Sequence, residues 1–381
     1  MRCRSLVIPL LAGLLAGCAS TARLPGPPTQ AMIPPPPHQA IAPPPEAPIA
    51  PPAAAPHPLF PEHGFAALAG WAQDDHAADF KAFVASCRVA RDEATTQVCR
   101  RAVTLGTLGV EDARAFLEAN FRPEPLMQPG LLTAYFTPVY PARLDPEGEF
   151  TAPVRPRPAD LPRPRAGAPA ANYADRAEIE NRPAPDALAW MRPEDLFFLQ
   201  IQGSGVLEFP AGPPMRAVFD GTNGAPFLGL AAPMRREGLL ADQDTSAERI
   251  RAWLADNRGL RANAVMRLDR RYVFFRLEPD DGAEPAGAAG VRLVPGRTVA
   301  VDPGEHGMGE VLWLDATAPV LTGAFPAYRR LAMAMDTGSA IKGEVRADLY
   351  IGRGPDAGAE AGRVRHVLHL YRLTPISDPA S

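Results

Sequence analysis

Three aspartates in the last third of the chain stand in short apolar settings: Asp302 in Ala300-Val301-Asp302-Pro303, Asp336 in Met335-Asp336-Thr337-Gly338 and Asp348 in Ala347-Asp348-Leu349-Tyr350. Carboxylates are seldom buried without a partner, so aspartates in apolar strand ends are candidates for shifted pKa values and for proton transfer. Strand alternation puts Arg346, Asp348 and Tyr350 on one face and Ala347, Leu349 and Ile351 on the other. Asp348 then faces polar neighbours while its strand packs on a core. Asp336 closes an apolar strand at a Thr-Gly turn, where its carboxylate can accept from following backbone N–H groups. Asp302-Pro303 starts a turn. The plainer readings are an ion pair between Asp348 and Arg346 on a solvated face, and turn duty for the other two.

The elements that must position these residues read mostly as strands. Leu131–Tyr140, Leu196–Gln202, Arg271–Leu277, Val291–Val301, Glu310–Leu314, Arg330–Met335, Arg346–Ile351 and Val364–Leu373 are short, rich in β-branched or aromatic residues, and bounded by Gly, Pro or Asp. Helices are expected over Phe65–Cys87, over Glu111–Asn120, and from the capping box Thr245-Ser246-Ala247-Glu248 through Leu254. Many short strands without regular βα alternation argue for barrels and against a doubly wound sheet. The net charge of -4 gives no reason to expect nucleic acid.

Arg2 and Arg4, the apolar run Leu6–Leu15 and Leu15-Ala16-Gly17-Cys18 read as a secretory signal ending at a cysteine that becomes lipidated. Ala19 stands where lipoproteins retained in the inner membrane carry Asp, which points to the periplasmic face of the outer membrane. Residues 19–61 are dominated by proline and hold almost no large apolar side chains, so they form an extended tether with no core. Cys3 leaves with the signal. Cys87 and Cys99 remain in an oxidising compartment, where they form one disulfide or stay as two buried thiols.

Further signals lie upstream in Thr133-Ala134-Tyr135-Phe136-Thr137-Pro138, Gln202-Gly203-Ser204-Gly205 and Asn223-Gly224. With the three aspartates, in this order and spacing and behind a lipoprotein signal, they resemble the membrane-bound lytic murein transglycosylase A family, whose carboxy-terminal module is the 3D domain. The resemblance implies a mainly β fold with flanking helices, a double-psi β-barrel with a second, smaller β-barrel domain inserted. It implies a signal peptide over 1–18, a linker over 19–61, the first part of the barrel with its helices over 62–138, the insert over 139–278 and the 3D domain over 279–381. It also implies cleavage of the β-1,4 bond between N-acetylmuramic acid and N-acetylglucosamine without water, leaving 1,6-anhydro ends; the protein is expected to act as a monomer. Asp348 falls on the family's acid, with Asp336 and Asp302 in support. Tyr135, Thr137, Gln202, Ser204 and Asn223 are candidates for sugar contacts, with core or turn duty as the alternative for each. The pattern departs from the family at Ala134 and at Thr222, Ala225 and Phe227, which flank Asn223-Gly224.

Three other readings have less behind them. Asp336-Thr337-Gly338 is the triplet of aspartic proteases, but those enzymes need two such aspartates sharing a proton and only one triplet occurs. Gly203-Ser204-Gly205 lacks the spacing of a hydrolase elbow. Without His-Glu-x-x-His or paired Cys-x-x-Cys, neither a metal nor a cofactor is expected. A lipoprotein that binds peptidoglycan without cutting it is the remaining alternative.

Overall fold

The computed structural model describes residues 64–90, 92–162, 173–240, 245–319 and 327–376. Cys18 and the proline-rich tether lie outside the described residues.

The chain enters through α1 (His76–Ser86), α2 (Glu93–Leu105) and α3 (Val110–Asn120). The single helix expected over Phe65–Cys87 is broken. Gly70 takes a left-handed φ of 83° between two short 3-10 turns, and α1 starts only where the Asp75 carboxylate accepts from Ala78 N at 3.1 Å. Helix α2 was not expected, although Asp92 caps its first turn through Thr95 N and Gly106 ends it at φ 72°. Cys87 and Cys99 are joined by a disulfide that ties the end of α1 to α2. A loop of this length restricts the unfolded chain by about 3 kcal/mol.

The main sheet holds β1 (Phe121–Pro125), β2 (Gly130–Thr137), β9 (Thr298–Val301), β10 (Val311–Pro319), β11 (Ala327–Thr337), β12 (Arg346–Arg353) and β13 (Arg365–Pro375), in the order β1-β13-β10-β11-β9-β12-β2. Because β13 also pairs with β2, six strands close into a barrel. Its strands are buried on both sides, which explains their near-continuous apolar runs. Leu312, Leu314, Ala332, Ala334, Ala347 and Leu349 fill the interior. Trp313, Leu331, Met333 and Met335 face outward beneath the helices, where Trp71 meets Trp313 edge-on at 5.1 Å. Helix α9 (Gly354–Ala361) packs against β2 and β12. Of the strand expected over Val291–Val301, only the last four residues are strand. The rest is a loop that returns over β11.

Between β2 and β9 the chain builds a second unit. It contains β3 (Val139–Pro141), β4 (Ala152–Val154), α4 (Arg176–Glu180), β5 (Ala189–Met191), α5 (Pro193–Gln202), β6 (Ser204–Glu208) and β7 (Met215–Thr222). It ends with α6 (Ala231–Arg236), α7 (Ala247–Asp256), α8 (Leu260–Met266) and β8 (Val273–Pro279). Strands β3-β6-β7-β8 form one sheet and β4-β5 a ribbon. The ribbon joins both sheet edges, through paired bonds of Arg143 with Trp190 and through Phe275 N to Arg155 O at 3.0 Å. The result is a small irregular barrel.

The strand expected over Leu196–Gln202 is instead helix α5. Pro193 at its first turn, followed by Glu194 and Asp195, is a helix start that outweighs the β-like composition of Leu-Phe-Phe-Leu.

Candidate active site

Strand register assembles the site. Asp348 of β12 lies opposite Ala300 of β9 on one side and Thr133 of β2 on the other. Asp336 of β11 is also level with Ala300, from β9's other side. Strict alternation would turn Asp336 into the barrel, since Ala334 already points inward. A bulge between Ala334 and Asp336 adds one residue and re-aims the carboxylate. Asp336, Ala300, Asp348 and Thr133 thus form a row across four strands. The two carboxylates are two strand spacings apart, roughly 10 Å between backbones, with Ala300 between them in the row and the Tyr135 side chain reaching across from β2 to Asp336.

Asp348 is half-buried. The Thr133 hydroxyl donates to its Oδ1, and Arg346 Nη2 in turn donates to Thr133 Oγ1 at 2.9 Å. Arg346 spends another guanidinium nitrogen on the Ala347 carbonyl, at 2.6 Å. Burial pushes the Asp348 carboxyl above its ordinary range. The Thr133 hydrogen bond and the Arg346 charge pull it down, and the negative charge of Asp336 adds to the rise.

Asp336 is bound more heavily. Its Oδ1 accepts from Ala288 N and Thr337 N, both at 2.9 Å, and its Oδ2 from the Tyr135 hydroxyl at 2.7 Å. Burial raises this carboxyl as well, against those three donors. The Ala288 donor arrives because Gly287 lets its loop lie against β11; a Cβ there would stand 2.5 Å from the Met335 oxygen. Tyr135 also packs at 5.2 Å from the ring of Tyr350. The Tyr350 hydroxyl is held by Glu284 and, at 2.7 Å, by Thr137.

Asp302 has a different duty. It accepts from Gly343 N at 3.0 Å, Gly304 N at 3.2 Å and Lys342 Nζ at 3.1 Å, and these hold its carboxyl down at about 2. It stays ionised and shapes the loop before β12, which makes it a poor proton donor.

Two expected sugar contacts are spent on structure. Asn223 is 1% exposed and satisfies backbone groups only. Its amide nitrogen donates to Ala174 O and Arg270 O, and its oxygen accepts from Tyr272 N and Ala225 N. Thr137 is 2% exposed and engaged with Tyr350. Gln202 and Ser204 stay partly open where α5 meets β6, and Gln202 Oε1 accepts from Phe136 N at 3.3 Å, bridging insert and barrel. Asp280 makes a second bridge, pairing with Arg216 of β7 at 2.8 Å and with Arg353 of β12 at 2.6 Å.

Sequence reasoning missed Thr133, Ala300 and Glu284. The motif Thr133-Ala134-Tyr135 carried the first, but its partner lies 215 residues away. Among the described residues, no group of three His, Cys, Asp or Glu side chains is placed to hold a metal ion.

A barrel interrupted by an insert is the architecture of MltA-type proteins that this chain matches. The MltA specific insert domain model matches residues 131–276 and the 3D domain model residues 297–374. Membrane-bound lytic murein transglycosylase A of Escherichia coli (strain K12) is 32% identical over 250 residues, covering 63% of this chain and 64% of that protein. The crystal structure of a membrane-bound lytic murein transglycosylase from Agrobacterium tumefaciens is 30% identical with a TM-score of 0.70, covering 82% of this chain and 96% of that one. E. coli MltA with bound chitohexaose is 26% identical with a TM-score of 0.63, covering 79% and 90%. The chain belongs to the membrane-bound lytic murein transglycosylase A family.

Proposed function

We propose that this protein is a lytic transglycosylase that cleaves the β-1,4 bond between N-acetylmuramic acid and N-acetylglucosamine in peptidoglycan, with Asp348 as its one proton carrier. The observation that carries the reading is the seat of Asp348, a partly open carboxyl raised by burial, which Arg346 reaches through the Thr133 hydroxyl. The role requires such a group to be protonated when substrate arrives, and the upward shift supports it. Asp348 gives its proton to the glycosidic oxygen as the bond from the muramoyl C1 to that oxygen breaks. The C6 hydroxyl of the same sugar then bonds to C1, and its proton returns to Asp348. Because the nucleophile belongs to the substrate, it acts at high effective concentration, and the second carboxylate of an ordinary glycosidase is not needed. Asp336 supports the acid by its negative charge.

The relative from E. coli that binds chitohexaose supports a β-1,4-linked amino-sugar chain as ligand. Tyr135, Gln202 and Ser204 are proposed to line its path between barrel and insert. The protein is further proposed to act as a monomer, tethered through lipid on Cys18 at the periplasmic face of the outer membrane.

Digestion of purified sacculi by a fragment beginning near residue 61, beside its Asp348→Asn variant, tests the reading by mass spectrometry. Anhydro-ended muropeptides from the parent alone are expected. Reducing ends would make water the nucleophile, and binding without release would mark a wall-binding lipoprotein.

A further inference from the structure

The turn between β9 and β10 grips three consecutive residues of the loop between β11 and β12. Asp302 holds Lys342 and Gly343, and His306 Nε2 lies 2.7 Å from the carbonyl oxygen of Glu344. Arg346 opens β12 two residues later, so whatever fixes residue 344 also governs which side chain comes level with Ala300. His306 is 3% exposed. Its Nδ1 lies 3.1 Å from Glu310 Oε2.

Both ring nitrogens therefore face acceptors, one carbonyl and one carboxylate, and only an imidazolium donates to both. Glu310 also takes Gly307 N at 3.1 Å and an ion pair from Arg372, a cation whose charge acts on the ring. The His306 amide is bound to the Asp302 carbonyl at 3.0 Å. Burial works to remove the ring's proton; Glu310 and the Glu344 carbonyl outweigh it and raise the pKa, with Arg372 opposing.

We infer that His306, as an imidazolium, is a positioning residue that fixes residues 342–345 and through them the presentation of Asp348. The inference rests on the reading of Asp348 as the acid. A neutral ring has one N–H for two acceptors, so losing the proton gives up either the bond to Glu344 or the bond to Glu310, and the clamp loosens as pH rises through the ring's pKa.

The test compares the full chain with His306→Gln from about pH 5 to a pH above the ring's titration, located by NMR of the parent, measuring release of anhydro-ended products and amide exchange over residues 338–345. At the acid end the parent's kcat should exceed the variant's about tenfold, the cost of a small misplacement, with KM little changed. The ratio should fall toward one as pH rises; titration of Asp348 occurs in both proteins and cancels. Exchange should be faster in the variant at low pH only. A ratio independent of pH, or unchanged exchange, overturns the inference. Should His306→Gln fail to fold, Glu310→Gln keeps the ring, and NMR should find it losing its proton at lower pH than in the parent; an unmoved titration overturns the inference equally. A parent that releases no anhydro ends sinks the acid reading, while exchange over the loop still decides the clamp.

Discussion

Asp302 and Asp348 stand at the end of β9 and in the middle of its neighbour β12, and they are held in opposite states. Asp302 gathers two amide protons and a lysine, and its carboxyl is held at about 2. Asp348 gathers one hydroxyl, and burial raises it. Both belong to the same motif set and both follow buried residues in sequence. The number of donors the fold brings to each carboxylate, with its loss of water, separates the clamp at Asp302 from the proposed proton carrier at Asp348.

The contrast breaks most sharply at Asp348. Asp348→Asn should remove about 10²–10⁴-fold of the rate, the usual worth of a positioned general acid, with the fold intact by circular dichroism. Asp336→Asn should act through charge: without a negative neighbour, the Asp348 pKa falls and the alkaline limb of the pH–rate profile moves to lower pH. Each unit of that fall costs about tenfold in protonated acid at neutral pH. Thr133→Val should move the limb the other way. It removes a hydrogen bond that favours the charged form, so activity should persist to higher pH while the peak rate drops by about 5-fold, a loss of about 1 kcal/mol. A limb that does not move in either variant would show that Asp348 is not the group titrating.

The smallest effect on rate belongs to Asp302→Asn, which should show instead in acid stability. A carboxyl whose folded pKa lies below its unfolded value of about 3.9 stabilises above that pH and loses this contribution as pH falls toward about 2. Thermal unfolding of parent and variant should therefore differ most above about pH 4 and converge near pH 2. A constant gap would mean the Lys342 and Gly343 contacts do not depend on charge.

Asp336 and Asp348 were legible from local sequence as a candidate pair, whereas Thr133, Ala300 and Glu284 were not. Alternation placed Asp348 and Arg346 together, and the Thr-Gly turn after Asp336 gave its bond to Thr337 N. Their assembly was not, because it depends on pairings distant in sequence and on a bulge that local patterning does not reveal. Leu196–Gln202 was misread as strand because its bulky apolar residues hid the helix start at Pro193. Asn223 stayed open between a sugar contact and turn duty because an amide serving four backbone groups has the same sequence as one serving a ligand; in the structure it serves the backbone.

Strand β13 pairs on one edge with β10 and on the other with β2, and it follows every other strand of the ring in the chain. A polypeptide interrupted before residue 365 would carry all three aspartates and the whole insert yet have an open ring, with Thr133 on an unsupported edge. Pairing across more than 200 residues is also slow to form. The order of synthesis thus delays closure: the ring that holds Thr133 beside Asp348 is completed only with β13, long after the three aspartates have been made.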